Sequence, residues 1–278
     1  MKFWSLKAVT CCLAYAAVAL IARPAPAATE VRIAAAHFPP YAVHPEQGGQ
    51  QGLLPQLVGA LNHLQERYVF VLVPTSLPRR YQDFEQGRVD MAIFENPDWG
   101  WQDIDHDSVD MGLEDAEVFV ARRRGHTQDY FSDLEGKRLA LFSGYHYAFA
   151  GFDANPQYLL RRFRASLTYS HESNLMMVLR DRADIALVTR SYLSDFVAAH
   201  PELAPRMLIS ERIDQRYQHH ALLRPQAPIQ AAEFKRLLDE LRSNGQLAGI
   251  FSPLQIAVVP EVTDPVVVRN PSRRAVRP

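Results

Sequence analysis

The stretch "GRVDMAIF" at residues 87–94 and the stretch "DRADIALV" at residues 181–188 share one pattern: arginine, a small apolar residue, aspartate and an apolar run. Each reads as the end of a helix followed by a buried strand. The strands that open the two halves are also alike, with "VRIAAAHFPPY" at 31–41 and "KRLALFSGYHY" at 137–147. Any two buried strands share some character, but here helix, aspartate and strand recur in the same order. The sequence therefore predicts two similar α/β units.

The apolar periodicity extends this pattern along both units. In the first unit we predict strands at 31–38, 68–74 and 88–94, and helices at 53–64 and 77–87. In the second we predict strands at 137–144, 166–170 and 183–188, and helices at 157–165, 173–182 and 190–200. Alternation of strand and helix indicates a mostly parallel sheet covered by helices.

Two further strands are expected to cross between the units. "AEVFVARRRG" at 116–125 leaves the first unit, and "YQHHALLRP" at 217–225 returns to it. An amphipathic helix follows, closed by Asn244 and Gly245. We therefore divide the chain into 28–120 as the first part of lobe 1, 121–216 as lobe 2, 217–251 as the return crossing and C-terminal helix of lobe 1, and 252–278 as an extended or partly disordered tail.

Composition limits the classes of function. The chain has 278 residues, of which 47% are hydrophobic and 22% charged, a balance typical of a globular protein with a sizeable core. The formal net charge is −1, so the basic surface that nucleic-acid binding requires is not indicated.

The N-terminal residues 1–27 have the pattern of a secretory signal peptide. Lys2 and Lys7 precede an apolar run at 8–22, which is short for a membrane span, and cleavage is expected near Ala27. Both cysteines of the chain lie inside this segment, and Ala8 replaces the leucine that a lipidation signal would place before Cys11. The alternative is a retained anchor. We expect export to the periplasm and a mature chain without disulfides.

The arrangement resembles the family 3 extracellular solute-binding proteins, the receptors of polar amino-acid ABC transporters. Four stretches carry the resemblance: "AAHFPPYAVHPEQGGQQGLLPQLVGAL", "FEQGRVDMAIF", "FSDLEGKRLALFSG" and "LRDRADIALV". The resemblance implies an α/β fold of the type II periplasmic binding protein kind, in which two Rossmann-like lobes are joined by two crossing strands. It also implies a monomer without a cofactor, which closes over a small solute and delivers it to an ABC permease in the inner membrane.

Ligands of open α/β sheets bind beyond the carboxyl ends of the strands, so the loops at those ends supply the candidate site. Ten residues are predicted to contact the ligand: Phe38 and Tyr41 after the first strand, Glu95, Asn96 and Trp99 after the third, Ser143, Gly144 and Tyr145 after the first strand of lobe 2, and Thr189 and Arg190 after its last. For each aromatic residue the alternative is ordinary packing. His37, His146 and Tyr147 are weaker candidates.

The sequence departs from the family where the ligand's charges would be held. The resemblance implies an arginine after the third strand for the ligand's α-carboxylate, and an acid after the last strand of lobe 2 for its ammonium. Here no arginine follows the third strand before Arg122, and Thr189 and Arg190 stand at the second position. The acids and aromatics of this region, which include Asp98 and Trp101, favour a cationic or amine-bearing solute. The alternative for the aspartates is a solvated acidic loop, and Arg190 could instead contact an anion.

Two other functions remain open at this point. A solute sensor that docks on a membrane kinase or cyclase needs the same closing cleft. A few proteins of this fold are enzymes, such as cyclohexadienyl dehydratase, but the chain lacks a nucleophile elbow, a metal-binding histidine pair and a phosphate loop. We therefore expect a binding protein and not an enzyme.

Overall fold

The computed structural model describes residues 27–48, 51–259 and 267–270. The strands are β1 Thr29–Ala35, β2 Tyr68–Pro74, β3 Met91–Glu95, β4 His106–Arg122, β5 Leu139–Phe142, β6 Ser166–Thr168, β7 Ile185–Thr189, β8 Met207–Leu223, β9 Ala257–Val258 and β10 Val267–Asn270. The helices are α1 Leu53–Leu64, α2 Arg80–Glu85, α3 Pro156–Phe163, α4 His171–Leu179, α5 Arg190–Ala199, α6 Ala231–Ser243 and α7 Gln246–Phe251. The predicted signal peptide lies outside the described residues.

The same strand arrangement occurs twice, which confirms the predicted pair of α/β units. In lobe 1 the strand order is β2-β1-β3-β8, with β1 parallel to both β2 and β3 and with β8 antiparallel to β3. In lobe 2 the order is β6-β5-β7-β4, with β5 parallel to both β6 and β7 and with β4 antiparallel to β7. Each lobe therefore consists of three parallel strands and one long antiparallel strand.

The long strands β4 and β8 connect the lobes. Each has 17 residues, and they pair with one another in both lobes. Their register shifts between Asp110 and Glu114, where Gly112 has φ +61. Both strands begin about ten residues earlier than the sequence indicated, so the predicted boundaries at residues 120 and 216 fall inside β4 and β8. A solvated acidic loop was the alternative for the aspartates that follow the third strand. Asp107 and Asp110 lie in β4 instead, so any such loop ends before His106.

The aspartate shared by the two repeated stretches makes the same contacts in both lobes. Asp90 accepts hydrogen bonds from the backbone N, Nε and Nη2 of Arg32 at 2.9, 2.9 and 2.7 Å. Asp184 accepts from the same three atoms of Arg138 at 2.7, 3.1 and 2.7 Å. Each aspartate therefore fixes the start of its strand to the first strand of its lobe. Arg224 adds a further hydrogen bond to Asp90 at 3.2 Å, so the first pair is the more enclosed.

Apolar faces of the helices cover the sheet in each lobe. In α1 the buried side chains are Leu53, Leu54, Leu57, Val58 and Leu61, which form one stripe at helical spacing. Helix α6 buries Phe234, Leu237, Leu238 and Leu241 in the same core. The predicted helix end at Asn244 and Gly245 is confirmed, and the short α7 follows it. Among the described residues, no helix is both long enough and apolar enough to cross a membrane.

The described part of the C-terminal tail pairs with β4. Strand β9 lies against Leu113 and Glu114 at the crossing, and β10 lies against residues 106–109 in lobe 1. Ser194 of α5 donates a hydrogen bond to Gln255 at 3.1 Å, so this segment also contacts lobe 2. The predicted extended arm therefore includes two short strands, and the rest of the tail lies outside the described residues.

The enclosure of the two aspartates predicts unequal contributions to stability. Asp90 is 2% exposed in its side chain and Asp184 is 28% exposed. We expect Asp90→Ala to lower the free energy of unfolding by roughly 3 kcal/mol, because it removes a buried carboxylate that two partly buried arginines, Arg32 and Arg224, share. Asp184→Ala should cost about 1 kcal/mol, since solvent screens the second pair. Urea denaturation with Glu66→Ala as the surface control measures both losses, and a larger loss for Asp184→Ala would contradict this interpretation.

Candidate functional site

A closed cleft lies where the two lobes and the crossing strands meet. Its lining comes from lobe 1 (Phe38, Leu77, Arg80, Phe94, Glu95 and Trp99), from lobe 2 (Gly144, Tyr145 and His146) and from the crossing strands (Glu117 and Gln215). The cavity measures about 30 Å³, which is room for roughly two water molecules. A solute larger than this can enter only if the lobes separate or the lining side chains move.

Direct contacts between the lobes hold the cleft shut. His37 Nε2 lies 3.2 Å from the carbonyl oxygen of Tyr169, and the Tyr81 hydroxyl lies 3.0 Å from His146 Nε2. Burial lowers the pKa of His146 to about 4, so this imidazole is neutral at physiological pH. These contacts are few and uncharged, and opening the cleft therefore breaks no interlobe ion pair at these two points.

Gly144 allows the lobes to approach closely. It has φ +86, and a Cβ at this position would lie 3.2 Å from the Cβ of Leu77 in the other lobe. Only glycine combines that backbone conformation with so short a distance at little cost. This contact explains why the loop after β5 carries a glycine at the point that faces lobe 1.

A bulge turns two successive side chains of β3 toward the cleft. Phe94 has φ +64, and the pairing of β3 with β8 shifts register between Ile93 and Glu95. Neighbouring side chains of a regular strand face opposite sides, whereas a bulge changes their direction. Phe94 and Glu95 both line the cavity as a result.

Arg80, at the start of α2, forms a buried ion pair with Glu95. Its Nε and Nη2 donate to the two oxygens of Glu95 at 2.6 and 3.2 Å, and its Nη1 donates to the carbonyl oxygen of Leu77. Trp101 Nε1 donates to Glu95 at 2.9 Å, and the guanidinium lies 4.2 Å from the ring centroid of Tyr81. The pair is therefore internally satisfied, with both charges held inside the protein.

Glu117, in the lobe 2 half of β4, is a second buried carboxylate with one oxygen unsatisfied. Its Oε1 accepts hydrogen bonds from the hydroxyls of Thr189 at 2.8 Å and Tyr217 at 3.3 Å, while its Oε2 is buried and has no hydrogen-bond partner within the described part of the chain. Burial raises the pKa of Glu117 well above its usual value, and the nearby Asp115 and Asp214 raise it further. A ligand group that donates a hydrogen bond or carries a positive charge would satisfy this oxygen.

Asp115 ties the crossing strand to both lobes. Its carboxylate accepts hydrogen bonds from the Tyr41 hydroxyl at 2.7 Å, from the Ser191 hydroxyl at 2.5 Å and from the backbone N of Ala116 at 2.8 Å. The Tyr41 oxygen lies 2.6 Å from Nε2 of His219 on β8. Tyr41 belongs to lobe 1 and Ser191 to lobe 2, so a relative movement of the lobes must adjust this network.

Aromatic rings surround the cavity. Phe38 packs edge-on to Tyr145 of lobe 2 with ring centroids 5.2 Å apart, and it lies 6.4 Å from the Trp99 ring. Trp99 packs edge-on to Tyr217 at 4.9 Å. Phe38 therefore contacts aromatic rings of both lobes at the centre of the cleft.

The structure brings half of the predicted ligand contacts to the cavity. Phe38, Glu95, Trp99, Gly144 and Tyr145 line it. Tyr41 borders an adjoining cavity of about 20 Å³ within lobe 1. Thr189 does not line the cavity, but its hydroxyl donates a hydrogen bond to Glu117, which does.

Three other predicted contacts lie outside the lining. Asn96 donates to the carbonyl oxygen of Gln218 at 3.5 Å, and the backbone N of Ser143 donates to the carbonyl oxygen of Thr168 in the neighbouring strand at 2.7 Å. Arg190 borders a separate cavity of about 360 Å³, and its Nε lies 3.7 Å from Asp115 Oδ1.

The expected group of aromatics and acids is arranged differently from the prediction. Trp101 is fully buried in the core of lobe 1, where it holds Glu95, and Asp98 is exposed. Glu95 faces Arg80 and so has no free charge to offer a ligand. The free carboxylate is Glu117, on a strand where the sequence suggested no site.

Sequence reasoning missed five residues of the lining, which are the apolar Leu77 and Phe94 and the polar Arg80, Glu117 and Gln215. Arg80 is one of two adjacent arginines in a predicted helix, where surface exposure is the ordinary expectation. Glu117 had a usable signal, because it is the acid in the otherwise apolar run "AEVFVA" of a strand predicted to be buried. Gln215 lies in the part of β8 that the sequence analysis did not assign to a strand.

Comparison with solved structures identifies the fold. An ABC uptake transporter substrate-binding protein from Streptococcus pneumoniae with bound histidine has 16% sequence identity and a TM-score of 0.65, and the alignment covers 84% of this chain and 95% of that one. A histidine kinase sensor domain with similarity to periplasmic binding proteins has 18% identity and a TM-score of 0.62, over 84% and 98% of the chains. An ancestral amino acid-binding protein, a precursor of cyclohexadienyl dehydratase, has 14% identity and a TM-score of 0.59, over 81% and 94%.

No family model and no curated protein matches the sequence. At these identities the likeness establishes the architecture of the chain and leaves its ligand open. The predicted fold class is confirmed: the protein has the type II periplasmic binding protein fold.

The unsatisfied oxygen of Glu117 predicts a pH-dependent cost to stability. Its pKa is higher in the folded than in the unfolded protein, so the cost is absent below the ordinary value of 4.5 and grows as the pH rises above it. We expect Glu117→Gln to raise the free energy of unfolding by about 1 to 3 kcal/mol at pH 7.5 and by much less at pH 4.5. Urea denaturation at the two pH values measures the difference, and an equal effect at both would show that Glu117 is not desolvated.

Proposed function

We propose that the protein is a periplasmic solute-binding protein that captures a small polar solute, amino acid-like or amine-bearing, in the cleft between its lobes and delivers it to an ABC transporter. The observation that carries this proposal is the cleft itself, which both lobes and both crossing strands line. It contains a buried carboxylate oxygen for which the residues described here supply no hydrogen-bond partner. The fold supports it, because a hinged pair of lobes buries most of a small molecule on closing.

The ten candidate contacts enter the proposal with unequal support. Phe38, Glu95, Trp99, Gly144 and Tyr145 border the cavity in the closed form. Tyr41 and Thr189 act through the carboxylates of the crossing strand, Asp115 and Glu117. For Asn96, Ser143 and Arg190 the closed form provides no such support.

Sensing is the second candidate function, and the likeness to a histidine kinase sensor domain favours it. A sensor and a transport receptor bind the solute in the same way and differ in what docks on the closed form. Deletion of the gene in its own host separates them. Under the transport function uptake of the bound solute is lost, whereas under the sensing function uptake persists and the cellular response to the solute is lost.

A thermal-shift screen of amino acids, polyamines, quaternary amines and small carboxylates tests the binding function. A solute at 100 times its Kd should stabilise the protein by about 2.7 kcal/mol, with a midpoint that rises with concentration. Absence of stabilisation by every compound would contradict the proposal. Mass spectrometry of the incubated solute checks for turnover, which a binding protein does not produce.

Matched phenylalanine variants locate the binding site. Phe38 and Phe163 are both half-buried, but Phe38 lines the cleft and Phe163 packs on Tyr158 in lobe 2. We expect Phe38→Ala to weaken solute binding at least tenfold, because the ring contacts both sides of the cavity, and Phe163→Ala to change it less than twofold. Isothermal titration calorimetry measures both, and equal effects would place the solute elsewhere.

A further inference from the structure

We infer that the cleft selects an organic ammonium ion that carries no carboxylate. Glu117 receives the ammonium, and Glu95 already pairs with Arg80, the arginine that a ligand carboxylate would need. This inference rests on the proposed binding function and names the chemical class of its ligand. It depends on three features of the cavity: the pairing of Arg80 with Glu95, the unsatisfied oxygen of Glu117, and the aromatic rings that line the same cavity.

Glu95 occupies the edge of Arg80 formed by Nε and Nη2. These two nitrogens donate to Glu95 at 2.6 and 3.2 Å, and Nη1 donates to the carbonyl oxygen of Leu77. The side chains of Arg80 and Glu95 are 4% and 9% exposed. A guest carboxylate that took the same edge of Arg80 would displace Glu95 and leave that acid buried without its counter-ion. The protein therefore supplies its own carboxylate to this edge and neutralises the charge that would attract a second.

The charges that line the cavity leave one acid without a partner. Arg80 and Glu95 cancel, and His146 is neutral because burial lowers its pKa to about 4. Glu117 is the remaining carboxyl group of the lining, and its Oε2 is buried and has no hydrogen-bond partner among the described residues. A positively charged donor would complete its hydrogen bonding and stabilise its ionised form, whereas an anion would oppose that ionisation.

The aromatic rings suit the rest of such a cation. Phe38, Trp99 and Tyr145 line the same cavity as Glu117, and Tyr217 donates its hydroxyl to the other oxygen of that carboxylate. The electron-rich face of an aromatic ring attracts an ammonium group, and its apolar surface packs on alkyl or aryl substituents. An amine with a hydrophobic substituent matches both properties, whereas the corresponding amino acid also brings a carboxylate close to Glu95 and Glu117.

Paired compounds that differ only in a carboxylate test the inference. The probes are histamine and histidine, agmatine and arginine, and 2-phenylethylamine and phenylalanine, titrated calorimetrically into the purified protein at pH 7.5. We expect at least one amine to bind, and each amine that binds to do so at least tenfold more tightly than its amino acid. If an amino acid binds more tightly than its amine, or if none of the three amines binds, the inference is overturned.

Two variants assign the roles of the acids. Glu117→Gln should weaken binding of the amine at least tenfold, although we expect the same variant to be more stable than the parent at this pH, so loss of folding cannot explain the result. Glu95→Gln keeps the size of the side chain and frees the charge of Arg80, and it should shift the preference at least tenfold toward the amino acid. Unchanged amine affinity in Glu117→Gln, or an unchanged preference in Glu95→Gln, would overturn the inference.

Glu114→Gln is the matched control on the same strand, because Glu114 pairs with Arg216 at 3.3 Å and does not line the cavity. It should change the affinity of every probe less than twofold. The failure of the inference and of the binding function are distinguishable. A carboxylate-bearing solute that binds the cleft refutes the inference alone, whereas the absence of any ligand in the wider thermal-shift screen refutes both.

Discussion

The structure depends on two strands that belong to both lobes at once. Because β4 and β8 pair with one another in lobe 1 and again in lobe 2, neither lobe can complete its sheet without residues of the crossing strands. The same two strands supply Glu117 and Gln215 to the cavity. Any change in the angle between the lobes therefore alters the position of the groups that face a solute. In the proposed binding function, covalent continuity of these strands couples solute binding to closure.

The backbone suggests where a hinge for the proposed closure would lie. Pairing between β4 and β8 is interrupted between Asp110 and Glu114, and Gly112 adopts a left-handed conformation there. Next to this interruption, Asp115 holds Tyr41 of lobe 1 and Ser191 of lobe 2 through short hydrogen bonds. A buried network with these partners favours one closed arrangement, since each donor that separates from Asp115 leaves a buried polar group unsatisfied.

Two carboxylates in the same cleft have opposite roles because their partners differ. Glu95 is matched by Arg80 and by the indole of Trp101, so it is part of the wall. Glu117 receives only neutral hydroxyls at one oxygen, and burial raises its pKa. The bulge at Phe94 contributes to this division, because it directs Glu95 toward the cavity and so toward Arg80. The binding character of the cleft is then set by the acid that remains.

The sequence predicted the fold well because the spacing of apolar residues along each segment indicates its helices and strands. The two stretches that contain Asp90 and Asp184 mark equivalent places, and the structure confirms this down to the atoms that each aspartate contacts. The site was harder to predict, because its charged residues pair with residues that are distant in the sequence. The sequence separation between Arg80 and Glu95 is 15, and nothing in a helical segment shows that an arginine will turn inward. The early start of β4 was not predicted, because several closely spaced aspartates are typical of a loop. Only the pairing with β8 shows that they belong to a strand.

The most direct test of the account is the distance between the lobes with and without a solute. Beyond residue 12 the chain has no cysteine, so spin labels attached through Glu46→Cys in lobe 1 and Glu172→Cys in lobe 2 report on the mouth of the cleft alone. We expect the free protein to include a population with a long distance between the two labels. A saturating concentration of the tightest-binding solute should convert it into a single, shorter distance. The same distance distribution in both conditions would contradict a cleft that closes on its ligand.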